Sequence, residues 1–194
     1  MLDQMKPINE VDIALNGGLV GAQMERANLR GRNLSGANFD NANLRGADLT
    51  DANLRGCSFV RADLSRACLL RADCRDTDFS GADLTASYMK AANFTDAYMP
   101  CSILKRVCAK QVLFIRTNLS YADFLGGEFL GARFNDAILY HVRNKERAIF
   151  HWYMPVGGGK PKYQPTPGHY KLSQSWLGGL SFRENAGRHK WEDR

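Results

Sequence analysis

The sequence lacks a long hydrophobic run, a secretory leader and the paired cysteines of a metal or disulfide site. No stretch approaches the roughly 18 apolar residues that cross a membrane, and the start, MLDQMKPINEVD, has neither the basic nor the apolar region of a signal peptide. The five cysteines form no CxxC pair and have no histidine at a ligand spacing. We therefore expect a soluble, cytoplasmic protein without membrane contact, bound metal or cofactor.

Most of the chain also lacks an excess of charge of either sign. The 194 residues are 44% hydrophobic and carry 26 basic and 20 acidic side chains, which is a composition that can bury a core. Residues 17–141 contain 15 basic and 13 acidic residues, whereas residues 142–194 contain 10 and 4. The net charge of +6 therefore belongs to the C-terminal part, and the rest of the chain is close to neutral.

A five-residue repeat fills the neutral part. Every fifth residue from Leu19 to Leu139 is apolar, and alanine stands two residues earlier in 15 of these 25 pentads. A period of five fits neither a helix nor a strand, so the chain must turn in every pentad to point both positions inward. Two phenylalanine series repeat every 20 residues: Phe39, Phe59, Phe79 and Phe94, Phe114, Phe134. This spacing predicts four pentads per coil and coils stacked about 4.8 Å apart.

The recurring pattern A(D/N)LXX, as in Ala27-Asn28-Leu29, Ala47-Asp48-Leu49 and Ala82-Asp83-Leu84, resembles the pentapeptide-repeat family. The resemblance implies an all-β solenoid, the right-handed quadrilateral β-helix of that family. With 25 pentads, we expect about six coils. The resemblance is specific for fold and says little about function.

An open stack of coils needs a cap at each end, because its terminal backbone groups are otherwise unpaired. We predict a helical N-terminal cap over 1–16 and the β-helix over 17–141. A C-terminal cap helix is expected over 142–154, started by Asn144 and stopped by Pro155. Residues 155–194 are a Pro/Gly-rich loop followed by a basic, aromatic tail.

Three repeat positions depart from the pattern. Arg32 occupies a slot for a small inward residue, so we expect its side chain to leave the interior. Val107 and Val112 fill the same kind of slot, and only the first is relieved by a small neighbour, Ala109. The coil over 102–116 should therefore be wider or less regular.

Outward positions change from polar to apolar after residue 87, and such a patch on a solenoid marks a contact region. The candidate interaction surface consists of Tyr88, Tyr98, Ile103, Leu113, Ile115, Tyr121, Leu125, Leu130, Ile138 and Tyr140. The candidate tail anchors are Trp152, Tyr163, Tyr170, Trp176, Phe182 and Trp191. We expect the C-terminal segment of the chain to cover the surface; a homodimer or another protein is the alternative occupant.

No constellation of catalytic residues is present. The aspartates precede core positions, where the repeat itself favours Asn or Asp, and VGGGKPK lacks the spacing of a phosphate-binding loop. The sequence predicts a non-catalytic interaction or structural scaffold module with a protein partner or a larger assembly.

Two alternatives remain. Some pentapeptide-repeat proteins bind DNA gyrase or topoisomerase IV by imitating the shape and negative charge of duplex DNA, but the near-neutral repeats here argue against that role. The tail could bind nucleic acid because basic residues alternate with aromatic ones: Lys160, Lys162, Tyr163, Tyr170, Lys171 and Trp176. We do not expect nucleic acid to be the main partner, since a solvated basic tail explains the same residues.

Overall fold

The computed structural model describes residues 19–150, and β-bridges between successive coils organise this part of the chain. Parallel bridges join positions 20 residues apart, from Gln23 and Asn43 to Asp123 and Arg143. This offset confirms that four pentads make one coil. Each bridge involves single residues instead of extended strands, and the regular element in residues 19–150 is the 3-10 helix Lys145–Arg147.

The bridges form four columns, which define four faces of the solenoid; each face also includes the two turn residues that follow each of its core residues. Face 1 carries the bridge column Asn38, Ser58, Asp78, Tyr98, Asn118 and Ile138. Face 2 carries Gln23, Asn43, Asp63, Asp83, Ile103, Asp123 and Arg143. Face 3 carries Asn28, Asp48, Cys68, Tyr88, Cys108, Glu128 and Ile149. Face 4 carries Asn33, Asn53, Asp73, Asn93, Leu113 and Arg133.

Main-chain hydrogen bonds tie each coil to both of its neighbours. The N–H of the core residue Leu44 donates to Asp63 O at 2.8 Å, one coil further along. The N–H of the preceding residue, Asn43, donates to Ala22 O at 2.9 Å, one coil back. Because the pattern repeats in successive pentads, the buried backbone groups find partners without extended strands.

Every pentad ends in a tight turn. The N–H of Ala47 donates to Leu44 O at 2.9 Å, and similar bonds close most other pentads. The residue before the small slot has positive φ at each corner from Gly21 to His141, although only eight of these residues are glycine. A positive φ at the third position is typical of a type II turn. The turns explain how a five-residue period directs two side chains of each pentad inward.

The interior is filled by the large apolar residue of each pentad. Phe39, Phe59 and Phe79 stack with ring centroids 4.8 and 4.9 Å apart. The second series, Phe94, Phe114 and Phe134, stacks at 5.4 and 5.1 Å. The two columns of rings are those predicted from the 20-residue spacing.

The departures from the repeat behave largely as expected. Arg32 is exposed, and Val107 and Val112 are fully buried. Within the described coils, the turn hydrogen bond is absent at Thr77, Val107, Val112 and Thr117 and is long, 3.4 Å, at Ser102. The bulkier side chain in the small slot opens each of these corners. Open corners thus occur within 102–116 as predicted, but they also occur outside that range at Thr77 and Thr117, and the bridges continue without interruption.

The predicted helix at the C-terminal end is wrong over most of its described length. The 3-10 helix is confined to Lys145–Arg147, and Arg143 and Ile149 form bridges to the coil beneath. Their N–H groups donate to Ala122 O and Gly127 O, both at 2.8 Å. In extended backbone these N–H groups are free to bond to the carbonyls of the coil beneath, whereas in a helix they would bond within the helix. The predicted N-terminal cap, 1–16, and residues 151–154 lie outside the described residues.

Asn144 does not cap a helix through its side chain either. It adopts a left-handed conformation with φ of 56° and makes no side-chain bond to the helix. Its side-chain Nδ2 donates instead to Asp123 Oδ1 at 2.7 Å. Asn144 therefore fastens the final turn of chain to the coil beneath.

Candidate interaction surface

The ten residues predicted as an interaction surface do not form one patch. Tyr98, Tyr121, Ile138 and Tyr140 lie on face 1, Ile103 and Leu125 on face 2, Tyr88 and Leu130 on face 3, and Leu113 and Ile115 on face 4. Their spacing in sequence distributes them around the solenoid. Only the face 1 group is brought together by the fold.

Face 1 concentrates the exposed apolar side chains. Within residues 19–150, seven large apolar side chains are exposed, and five of them are on this face. Four occupy its last three coils, with exposed fractions of 50% for Tyr98, 45% for Tyr121, 44% for Ile138 and 58% for Tyr140. Tyr98 and Ile138 belong to one bridge column and are separated by Asn118. These side chains therefore share one side of the solenoid within about 10 Å along its axis.

The same part of face 1 has no charged side chain. The face carries Asp40, Arg61 and Asp78 in its earlier coils, and its pentads 97–101, 117–121 and 137–141 contain no Asp, Glu, Lys or Arg. Exposed apolar side chains that are grouped on a charge-free part of one face mark a candidate contact site. We call Tyr98, Tyr121, Ile138, Tyr140 and His141 the aromatic patch.

Three rings of the aromatic patch contact one another. Tyr121 meets the edge of Tyr140 with centroids 5.5 Å apart and stacks on His141 at 5.4 Å. Tyr140 and His141 are 4.1 Å apart, edge to face. The N–H of Tyr121 donates to Tyr140 O at 2.8 Å, which fixes the two coils relative to each other. The patch is thus preorganised by the backbone of the solenoid.

Tyr121, in the middle coil of the aromatic patch, is uncharged. Partial burial, together with the neighbouring Tyr140, raises the pKa of Tyr121 above its usual value. The phenol therefore stays protonated at physiological pH and can donate a hydrogen bond to a bound group.

Comparison with known proteins identifies the repeat. A family model for pentapeptide repeats matches residues 22–59 and 57–96 with 8 copies of the repeat. Residues 22–96 of this chain are pentapeptide repeats. Its bridges continue with the same register beyond the matched range, to Arg143. A search of curated proteins gave no significant match.

A solved structure shares the fold of the solenoid. QnrB1, described as a plasmid-mediated fluoroquinolone resistance protein, superposes with a TM-score of 0.57 at 23% identity, covering 69% of this chain and 79% of that one. HetL of the cyanobacterium Nostoc gives a TM-score of 0.39 at 24% identity, covering 67% and 70% of the two chains. Rfr23 of the cyanobacterium Cyanothece gives 0.41 at 18% identity, covering 72% and 95%.

The remaining predicted surface residues are less accessible. Ile103, Leu113, Ile115, Leu125 and Leu130 are half-buried. Tyr88 is exposed, but its bridge partners are Cys68 and Cys108, so it has no aromatic neighbour in its column. His141, by contrast, belongs to the aromatic patch, although the sequence analysis did not select it. Its position 20 residues after Tyr121 was the signal that could have identified it.

Ion pairs occupy the other faces. Arg71 binds Asp51 at 2.6 Å on face 3, and Arg116 binds Asp96 at 2.6 Å on face 4. The hydrogen bonds from these arginines hold the pKa of Asp51 and of Asp96 below the usual value. Each pair joins neighbouring coils, since its members are 20 residues apart. Such exposed pairs contribute little stability, but they make these faces strongly polar.

The described residues also bear on catalysis and membrane contact. Among residues 19–150, no three His, Cys, Asp or Glu side chains come together to hold a metal ion. Burial raises the pKa of the Cys57 thiol to about 11 and that of Cys74 well above its usual value, so both thiols stay protonated. No helix in this part of the chain has the length and hydropathy of a membrane span. The predicted tail anchors, Trp152 to Trp191, lie outside the described residues.

Proposed function

We propose that this chain is a non-catalytic interaction module: a right-handed quadrilateral β-helix of about six coils that presents face 1 to a protein partner. The observation that supports the proposal is the aromatic patch, where exposed rings and Ile138 occupy three successive coils without a charge. Tyrosine is among the residues enriched in the centres of protein interfaces.

The chemistry of the patch indicates what the partner presents. A partner surface that is uncharged and apolar loses the least hydration free energy on contacting the patch, whereas a charged surface would leave its ions desolvated and unpaired. The phenol groups of Tyr98, Tyr121 and Tyr140 can bond to backbone carbonyls of the partner. At the exposed fractions given above, the side chains of the patch present on the order of 400 Å², about half of the roughly 800 Å² per partner of a standard-size complex. We therefore propose a transient partner, or one that also reaches the edges of faces 2 and 4.

Binding to this partner should depend on face 1 and not on face 3. We expect the double variant Tyr98→Lys, Ile138→Lys to weaken binding at least about tenfold, since the loss of an interface hot spot costs about 2 kcal/mol. The partner is first captured by crosslinking from the native host, then purified, and its affinity is measured directly. The matched control is Tyr88→Lys, which adds the same charge to an exposed tyrosine on face 3. Equal weakening by the control, or none by the double variant, would contradict the proposal.

The DNA-mimic alternative receives no support from the arrangement of charges. Acidic residues on each of the four faces are accompanied by basic ones, and several are bound in ion pairs such as Asp51–Arg71 and Asp96–Arg116. A surface that imitates duplex DNA needs rows of unpaired negative charge.

A further inference from the structure

We propose that segment 172–182 of this chain, LSQSWLGGLSF, folds back onto the aromatic patch of face 1 and covers it until a partner displaces it. The inference rests on the proposed function, because it assigns a regulator to the same surface. Three observations support it: the chemistry of the two surfaces, the position at which the described chain ends, and the size of the patch.

The chemistries of segment and patch match. Segment 172–182 has no charged residue and is bordered by Lys171 and Arg183. It contains one tryptophan, three leucines and one phenylalanine, a composition that favours burial. The patch is the uncharged surface of the solenoid, whereas faces 3 and 4 carry ion pairs that an apolar segment would have to desolvate.

The described part of the chain ends at the same end of the solenoid as the patch, although on the opposite face. Ile149 pairs with Glu128 on face 3 of the final coils, and the next side in chain order is face 4, which adjoins face 1. Residues 151–171 provide 21 residues between Phe150 and the segment. Fully extended, they would span up to about 70 Å, several times the distance between neighbouring faces. The segment can therefore reach the last three coils of face 1 from the end at which it is attached.

The size of the patch favours an attached occupant. About 400 Å² per side is half of what a standard-size interface buries, which is too little to hold a second copy of the chain by this surface alone. A segment joined by a linker of this length experiences an effective concentration in the millimolar range, so a small contact suffices. Covering the patch would also weaken partner binding, because the partner must compete with the attached segment.

The tryptophans allow a direct test in the full-length chain. All three, Trp152, Trp176 and Trp191, lie after residue 150, so the solenoid contributes no indole signal. In a chain carrying Trp152→Phe and Trp191→Phe, the emission reports on Trp176 alone. We expect a blue-shifted emission maximum and shielding from acrylamide, both independent of protein concentration.

Variants on two faces show where Trp176 is bound. Adding Tyr98→Lys and Ile138→Lys should shift the emission to that of an exposed indole and at least double the quenching constant, whereas adding Tyr88→Lys should change neither. Circular dichroism of each variant checks that the solenoid is intact. The proposal is overturned if Trp176 is already exposed in the chain whose face 1 is unsubstituted, or if the face 1 and face 3 changes have equal effects. It is also overturned if the shielding of Trp176 grows with protein concentration, which would indicate a second copy of the chain.

The outcomes for regulation and for function are separable. If Trp176 is exposed but the face 1 variant still loses its partner, the covering segment is refuted and the proposed function stands. If Trp176 responds to the face 1 variant but partner affinity does not, the proposed function is refuted and the covering segment stands.

Discussion

Replacing Phe59 with alanine is expected to lower the free energy of unfolding by about 3–5 kcal/mol. The ring is fully buried and is the middle member of a stack, 4.8 Å from Phe39 and 4.9 Å from Phe79. The stacked rings leave little freedom for the coils to close around a void, because main-chain bonds fix the coil spacing. Urea unfolding followed by far-ultraviolet circular dichroism measures the change.

Two further variants delimit the cause of that loss. Phe59→Leu should cost markedly less, since leucine fills the equivalent position in many other pentads, for example Leu54 and Leu64. Tyr88→Ala removes an aromatic ring of similar size from an exposed site and should change stability by less than about 1 kcal/mol. A loss below about 1 kcal/mol for Phe59→Ala would show that the ring stack does not organise the interior.

A charge introduced at Leu84 is expected to have the larger effect and to abolish cooperative folding at neutral pH. Leu84 is fully buried on face 2, and aspartate there would place a carboxylate in the interior without a counter-ion. Leu84→Met is the control, because methionine already occupies the core position at Met24, Met89 and Met99 and should cost less than about 1.5 kcal/mol.

The effect of Leu84→Asp should depend on pH in a defined direction. Burial raises the pKa of a carboxyl group above its value in the unfolded chain, so the folded state binds the proton more tightly. Stability should therefore be fully recovered only below about pH 4, near the pKa of aspartate in the unfolded chain, and be lost progressively as the pH rises from there to 7. Thermal unfolding across this range is the measurement, and a stability independent of pH would show that the carboxylate escapes to solvent.

Much of the fold could be predicted from the sequence because the repeat contains it. The apolar residue in every fifth position fixed the turns, and the spacing of Phe39, Phe59 and Phe79 fixed the length of a coil. The volume of Val107 and Val112 predicted the opened corners. Each of these inferences depends on a constant separation in sequence between residues that are neighbours in space. The residue at one position therefore predicts what lies against the position 20 residues later.

Two features could not be obtained in that way. The C-terminal helix was wrong because Arg143 and Ile149 pair with unsatisfied backbone groups of Ala122 and Gly127, a demand set by the coil beneath and not by local sequence. The interaction surface was predicted from closeness in sequence. Tyr98 and Ile103 are one pentad apart in sequence, but they lie on different faces of the solenoid. Grouping the outward residues by their position within the 20-residue coil would have separated these two residues and would have added His141 to the face 1 group.

Hydroxyl-radical footprinting of the full chain with its purified partner is the measurement that tests the role of face 1 most directly. The account predicts that Tyr98, Tyr121, Tyr140 and His141 are protected from oxidation in the complex, while Trp176 of the displaced segment becomes more reactive and Tyr88 on face 3 reacts as before. The protected positions would then fall in pentads 97–101, 117–121 and 137–141, which recur every 20 residues on one face of the solenoid. Oxidation of Tyr98 and Tyr121 in the complex, with protection of Tyr88 instead, would contradict the account.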